Sequence, residues 1–157
     1  MEVKVCAVIP TLNESANIAK CIDSLLAQTM PVKVMVLDGG STDGTLEILK
    51  KYGDKITIYE NPERYVSNAR NLALKKIDDD ITHCLELIGH SWLEPDHVEK
   101  RVEDLLELEK ELGKKLAAIG CRTESSNPSG YVSRCIEGTL SSPIGSGGGQ
   151  FSRFTGR

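Results

Sequence analysis

"VKVMVLDGGSTDGTLEILKKYG", residues 32 to 53, decides the fold. Val32 to Asp38 is an almost unbroken β-branched and apolar run, the pattern of a strand covered on both faces. "DGTLEILKKYG" (43–53) predicts a short helix closed by Gly53. Between them stand Gly39, Gly40 and Gly44, two aspartates and several hydroxyls. The glycines let the main chain approach a ligand closely or adopt positive φ. Asp38, at the end of a buried strand, is placed to accept from a ribose hydroxyl or a base N–H, or to shape the turn. Asp43 and Ser41 suit a capping role in the following helix.

The same alternation extends to both sides of this unit. "VKVCAVIP" (3–10) predicts a first strand and "TLNES" (11–15) a polar turn. Ile18, Ile22, Leu25 and Leu26 recur at helical spacing up to about Gln28, with Asn13 or Ser15 as cap and Pro31 as stop. Downstream, "KITIYENP" (55–62) predicts a third strand, "VSNARNLALKKI" (66–77) a third helix and "ITHCLEL" (81–87) a fourth strand. Val98, Val102, Leu105, Leu106 and Leu112 describe a long amphipathic helix opened by Pro95 and ended near Gly113. "LAAIGC" (116–121) is expected as a fifth strand and "GYVSRCIEGTL" (130–140) as a further helix. The fold class is therefore α/β: a mostly parallel sheet flanked by helices on both faces, joined by right-handed crossovers.

Bulk properties narrow the function. A chain of 157 residues forms one domain and buries roughly 70% of its unfolded surface, enough for one core. Five cysteines, Cys6, Cys21, Cys84, Cys121 and Cys135, form no C-x-x-C pair and are read as reduced, mostly buried small hydrophobes. A net charge of −4, with Lys and Arg scattered among acids, offers no basic stripe, so nucleic acid is not an expected partner. No 18-residue apolar stretch and no basic leader with a cleavage site occur, and a cytoplasmic location is expected. The last stretch, "SSPIGSGGGQFSRFTGR" (141–157), is followed by nothing that would cover the far edge of the sheet. The expectation is a single domain over 1–157, cut short at its C-terminus or completed by a partner, with self-association as one way to cover the edge.

In open parallel sheets, ligands bind beyond the carboxyl ends of the strands. Three polar loops fall there: "PTLNES" (10–15), "DGGSTDGT" (38–45) and "IGHSWLEPD" (88–96). No G-x-G-x-x-G follows the first strand and no Walker pattern occurs, so a dinucleotide-dependent dehydrogenase and a P-loop NTPase lack their phosphate cradles. A nucleotidyltransferase lacks a lysine-bearing glycine-rich loop at the same place.

The ordered series "VIPTLNE" (8–14), "VLDGGSTDGT" (36–45), "NARN" (68–71) and "GHSWLEPD" (89–96) resembles the nucleotide-binding part of an inverting family 2 glycosyltransferase of the GT-A, Rossmann-like fold. The resemblance covers nearly all of the chain but only part of a full catalytic domain. It implies that Pro10, Thr11, Asn13 and Glu14 line the base and ribose pocket of a nucleoside-diphosphate sugar, UDP-linked by family analogy, and that Asp38 and Gly39 meet the nucleoside. It implies that Arg70 approaches the diphosphate with a planar, charge-assisted fork; from the residues alone Arg70 is a solvated or salt-bridged helix residue. It also implies a sugar or lipid-linked acceptor, a role in polysaccharide or glycolipid synthesis, and a place at the inner face of the membrane.

The family carries Asp-x-Asp after the fourth strand, whose carboxylates hold a divalent cation, Mn or Mg, against the diphosphate. The matching positions are Ile88, Gly89 and His90. His90 is read as a nitrogen ligand or as an ordinary hydrogen-bonding loop residue, and Glu86 as a second donor reaching over from the same strand face, whereas Ile88 supplies none. A metal-independent or weakened enzyme, a binder of sugar nucleotides without turnover, and an altered residue at 88 all fit this departure. Inversion needs a carboxylate base, which the family places downstream of the stretch resembling "SSPIGSGGGQFSR", and the residues nominate none. Arg153 is read as a phosphate neighbour or part of a mobile tail. Trp92 is read as a sugar-stacking ring or as packing beneath its loop.

Overall fold

The computed structural model describes residues 2–120. The chain divides into two compact units, Met1–Glu99 and Lys100–Arg157. The first holds β1 (Val5–Thr11), α1 (Ile18–Leu26), β2 (Val32–Asp38), α2 (Thr45–Lys50), β3 (Thr57–Glu60), α3 (Val66–Lys76) and β4 (His83–Glu86). The next helix, α4 (His97–Leu112), begins there and runs into the second unit, where Gly113 ends it in the left-handed region at φ 63°.

Among the described residues the sheet has four strands, all parallel, in the order β3-β2-β1-β4. β1 and β2 lie in register from Val5↔Val32 to Thr11↔Asp38, which brings the two polar loops to the same edge of the sheet. Their continuous apolar runs follow from their central position, because each pleat face is covered. Ala7, Ile9, Val34 and Val36 point to one side and pack with Ile18, Cys21, Ile22 and Leu25 of α1 and Leu49 of α2. Cys6, Val8, Met35 and Leu37 point to the other and meet Ala69 and Ala73 of α3. The small i, i+4 alanines let α3 lie close to the sheet.

Helices α1 and α2 therefore cover the face across which the chain steps from β1 to β2 to β3. The chain then returns over the opposite face through α3 to β4, on the far side of β1. Reversing direction while changing face keeps every crossover of one hand, as the right-handed rule requires. The reversal opens a crevice between the carboxyl ends of β1 and β4, the position where such sheets bind ligands.

Several boundaries differ from the sequence expectation. α1 starts at Ile18 with Asn17 as its N-cap, not Asn13 or Ser15; the Glu14 carbonyl instead takes the N–H groups of Asn17 and Ile18 at 2.9 and 2.8 Å. Residues 116–120 of "LAAIGC" form no strand. The Leu116 N–H is held by the Glu109 carboxylate at 2.9 Å, a local bond that takes the place of a ladder partner. Cys121 and the helix expected over residues 130–140 lie outside the described residues, as do the glycine-rich stretch and Arg153. Cys6 and Cys21 are buried and free, and burial raises their thiols to about 11 and about 12 respectively, so neither is a thiolate near neutrality. Cys84, expected to be buried, is exposed because β4 is the outer strand of the described sheet. Among the described residues no helix is long and apolar enough to cross a membrane.

Candidate functional site

The loops after β1 and β2 are sewn together. The Gly39 N–H donates to the Thr11 carbonyl at 2.8 Å, extending the pairing one step past the strands. Asn13, at φ 55°, donates its N–H to Ser41 Oγ at 2.9 Å and accepts the Thr42 N–H on its Oδ1 at 2.8 Å. The Glu14 N–H reaches Thr45 Oγ1, and the Ser15 N–H reaches Asp43 Oδ2, both at 2.9 Å. Local backbone donors that would otherwise need water are thus satisfied by hydroxyl and carboxylate side chains of the second loop.

Both aspartates of that loop accept hydrogen bonds from it. Asp38, 2% exposed, takes the Gly40 and Ser41 N–H groups on Oδ2, each at 2.9 Å, and the Ser41 hydroxyl on Oδ1 at 2.5 Å. Asp43 takes the Thr45 hydroxyl at 2.5 Å and the Thr45 N–H at 3.1 Å. The Thr45 hydroxyl, followed by the Ser15 N–H, holds the Asp43 carboxyl well below the usual carboxylate range. The Thr45 hydroxyl donates to Asp43 while accepting from Glu14, so this fully buried group is satisfied in both roles. Gly44, at φ 94°, opens α2 in the left-handed region where a side chain would be strained.

The third loop joins from β4. His90 Nδ1 lies 2.7 Å from Glu14 Oε1 across the crevice. A carboxylate only accepts, so the imidazole donates from Nδ1 in this bond and turns Nε2 away from Glu14. Gly89 leaves room for this pair: a Cβ there would stand 2.9 Å from Glu14 Cγ and displace its side chain. The loop is also tied to α1, since the Ile88 carbonyl accepts the Cys21 thiol at 3.8 Å.

The structure thus brings Thr11, Asn13, Glu14, Asp38, Gly39 and His90 to the carboxyl end of the sheet, with Pro10 half-buried one residue earlier in β1. The Thr11 hydroxyl donates back to the Ile9 carbonyl at 3.2 Å. Arg70 stands apart from this cluster in its bonding. Its Nε donates to Glu86 Oε1 at 2.6 Å, and a second guanidinium nitrogen meets the same oxygen. Among the described residues no hydrogen bond or ion pair joins Arg70 to the three loops. Trp92 carries the Lys20 ammonium 3.2 Å from its ring centre, so one ring face is covered by a cation.

A divalent cation of the Mg or Mn type is held by one or two carboxylates together with substrate phosphates. Ile88 supplies no donor, Glu86 is engaged by Arg70, and Glu14 is bonded to His90. His90 Nε2 is left as a single donor, backed by a carboxylate as metal-binding histidines are. Among the described residues no group of three or more His, Cys, Asp or Glu is placed to hold a metal ion. These residues do not fit a resident divalent cation.

Sequence reasoning missed three features. The Glu14–His90 pair and the contact of Gly89 with Glu14 join residues more than seventy positions apart, for which no local signal exists. The third is Arg64, whose guanidinium lies over Gly40; only its place in "NPER" (61–64), after a strand, could have drawn notice.

The family model described as "Glycosyl transferase family 2" matches residues 6–150. The succinoglycan biosynthesis protein ExoA of Rhizobium meliloti is 34% identical over 104 residues, covering 63% of this chain and 32% of that protein. The dolichyl N-acetyl-alpha-D-glucosaminyl phosphate 3-beta-D-2,3-diacetamido-2,3-dideoxy-beta-D-glucuronosyltransferase of Methanococcus voltae is 31% identical over 154 residues, covering 92% of this chain and 46% of that protein. The chain therefore spans less than half the length of either relative. Among solved structures, S. aureus TarS 1–349 in complex with UDP aligns with a TM-score of 0.57 at 25% identity, over 67% of this chain and 32% of that one.

Proposed function

The chain belongs to glycosyl transferase family 2, and on that premise we propose that it binds a UDP-linked sugar and transfers the sugar with inversion to an acceptor hydroxyl. The acceptor oxygen attacks the anomeric carbon, the bond from that carbon to the diphosphate oxygen breaks, UDP departs, and the hydroxyl proton passes to a base. The observation that carries the reading is the convergence of the β1, β2 and β4 loops, cross-bonded through Asn13 and Glu14, at the crevice where strand order reverses. Thr11, Asn13, Glu14, Asp38 and Gly39 form the nucleoside side of the site, with Pro10 beneath them. Asp38 and Asn13 act by holding the loop in shape, since their oxygens are already engaged within it. Arg70 reaches a diphosphate only by leaving Glu86.

The acceptor is a sugar or a lipid-linked glycan, and the setting is polysaccharide or glycolipid synthesis at the inner face of a membrane. The succinoglycan biosynthesis protein and the dolichyl phosphate glucuronosyltransferase support the polysaccharide and lipid-linked part of this reading. Calorimetric titration with UDP, other nucleoside diphosphates and their sugars tests the reading. Micromolar binding of a uridine compound in preference to the others is expected, and no binding to any of them refutes it. A second reading, a sugar-nucleotide binder without turnover, is favoured by Ile88 at the Asp-x-Asp position. Release of free sugar or UDP from a bound donor by the unmodified chain ends that reading.

A further inference from the structure

The unit Met1–Glu99 contains two arginines, and the structure uses them differently. Arg70 is neutralised by Glu86. Among the described residues the Arg64 guanidinium makes no hydrogen bond or ion pair. It lies against the glycine-rich loop: a Cβ on Gly40 would stand 3.6 and 3.9 Å from two of its nitrogens. A Cβ on Gly39 would meet the Thr11 carbonyl at 3.4 Å and the Arg64 Cα and Leu12 Cδ1 at 3.5 Å each. The Thr11 carbonyl, Leu12 and the Arg64 backbone thus close around the side-chain position of Gly39, and a side chain there would push Arg64 away.

Buried polar bonds hold Arg64 at this place. Asn61, 3% exposed, donates its N–H to the carbonyl of Asp38 at 2.7 Å and its side-chain amide to the Tyr65 carbonyl at 3.1 Å. The Arg64 N–H closes the turn onto the Asn61 carbonyl at 3.0 Å. The turn after β3 is thus locked to the last residue of β2, and Arg64 is held at φ 63°, a left-handed conformation uncommon outside glycine. Asp38, the buried acid of that glycine-rich loop, has both oxygens engaged by its own loop. An uncompensated guanidinium over side-chain-free backbone suits a planar oxyanion, which it can grip with two parallel N–H bonds.

Resting on the proposed donor site, we infer that Arg64, and not Arg70, is the residue that contacts the diphosphate of the nucleotide donor. The test is calorimetry of the full 157-residue chain with UDP and with uridine, for the unmodified protein, Arg64→Asn, Arg64→Lys and Arg70→Gln. Asparagine tolerates the left-handed backbone and lysine keeps the charge, so one of the two retains the fold. In Arg64→Asn the Kd for UDP rises at least about tenfold while that for uridine stays within about twofold, the loss expected of charge-assisted bonds to phosphate alone. Arg64→Lys falls between, since it lacks the planar fork. UDP affinity kept in both Arg64 variants and lost in Arg70→Gln overturns the inference, as does an equal loss of uridine and UDP in Arg64→Asn. An unmodified chain that binds neither compound refutes the donor-site reading itself, and this assignment with it.

Discussion

Gly89→Ala is the sharpest probe of the crevice. The added methyl would stand 2.9 Å from Glu14 Cγ, 3.3 Å from its Cβ and 3.5 Å from its Cδ, whereas carbon atoms pack without strain at roughly 3.5–4.0 Å. The Glu14 backbone cannot retreat, because its N–H is held by Thr45 and its carbonyl by Asn17 and Ile18. The side chain must therefore rotate, and it then leaves His90. Losing that hydrogen bond and adopting a poorer rotamer costs about 1–3 kcal/mol, offset by about 0.4–1 kcal/mol from a stiffer unfolded chain. A net loss of ~1–2 kcal/mol lowers Tm by about 3–7 °C for a chain of this size. Urea denaturation of the unmodified protein, Gly89→Ala, Glu14→Ala and the double variant measures the coupling. Glu14→Ala removes the Cγ and Cδ contacts, so in that background Gly89→Ala is expected to cost less than ~0.5 kcal/mol. Equal costs in both backgrounds would refute the proposed clash.

Other expectations follow from the same contacts. Asp43 has its folded-state pKa depressed below the ordinary 3.8, chiefly by the Thr45 hydroxyl, so its contribution is present above the unfolded value and lost as pH falls through the folded one. The Tm gap between the unmodified chain and Asp43→Asn is thus full at pH 6 and closes as pH drops below about 4, by thermal melts across that range. Because Ile88 contributes no donor, Mn or Mg changes the Kd for UDP by less than about twofold in the unmodified chain. Ile88→Asp supplies one carboxylate, and UDP binding becomes cation-dependent, as titrations with and without chelator would reveal. Ile22→Ala empties a fully buried site between α1 and the sheet and lowers stability by about 2–5 kcal/mol, measured by urea unfolding.

The strand–loop–helix alternation was legible in the chain because burial on both faces demands unbroken apolar runs, and Val5–Ile9 and Val34–Leu37 have them. The helix face of α1 was legible for the same reason, through Ile18, Cys21, Ile22 and Leu25. "LAAIGC" misled because a short apolar run carries no period, and only a neighbouring strand would have made it a strand. In the site, the polar loops could be placed at strand ends, and Thr11, Asp38 and Gly39 do adjoin one another. The partners of Arg70 and His90 could not be read. Glu86 and Glu14 become their neighbours only through the packing of α3 on the sheet and the placing of β4 beside β1.

Sequence by itself thus determined the strands and helices from β1 to α4 and which loops between them carry polar chemistry, since hydrophobic periodicity and turn residues are local properties. Tertiary structure alone decided the strand order, the capture of Arg70 by Glu86, the Glu14–His90 pair and the place of Arg64 beside the glycine-rich loop. Hydrogen bonds and charge pairs act over a few ångströms, so which groups meet depends on crossovers that bring together side chains separated by 16 positions in one pair and 76 in the other.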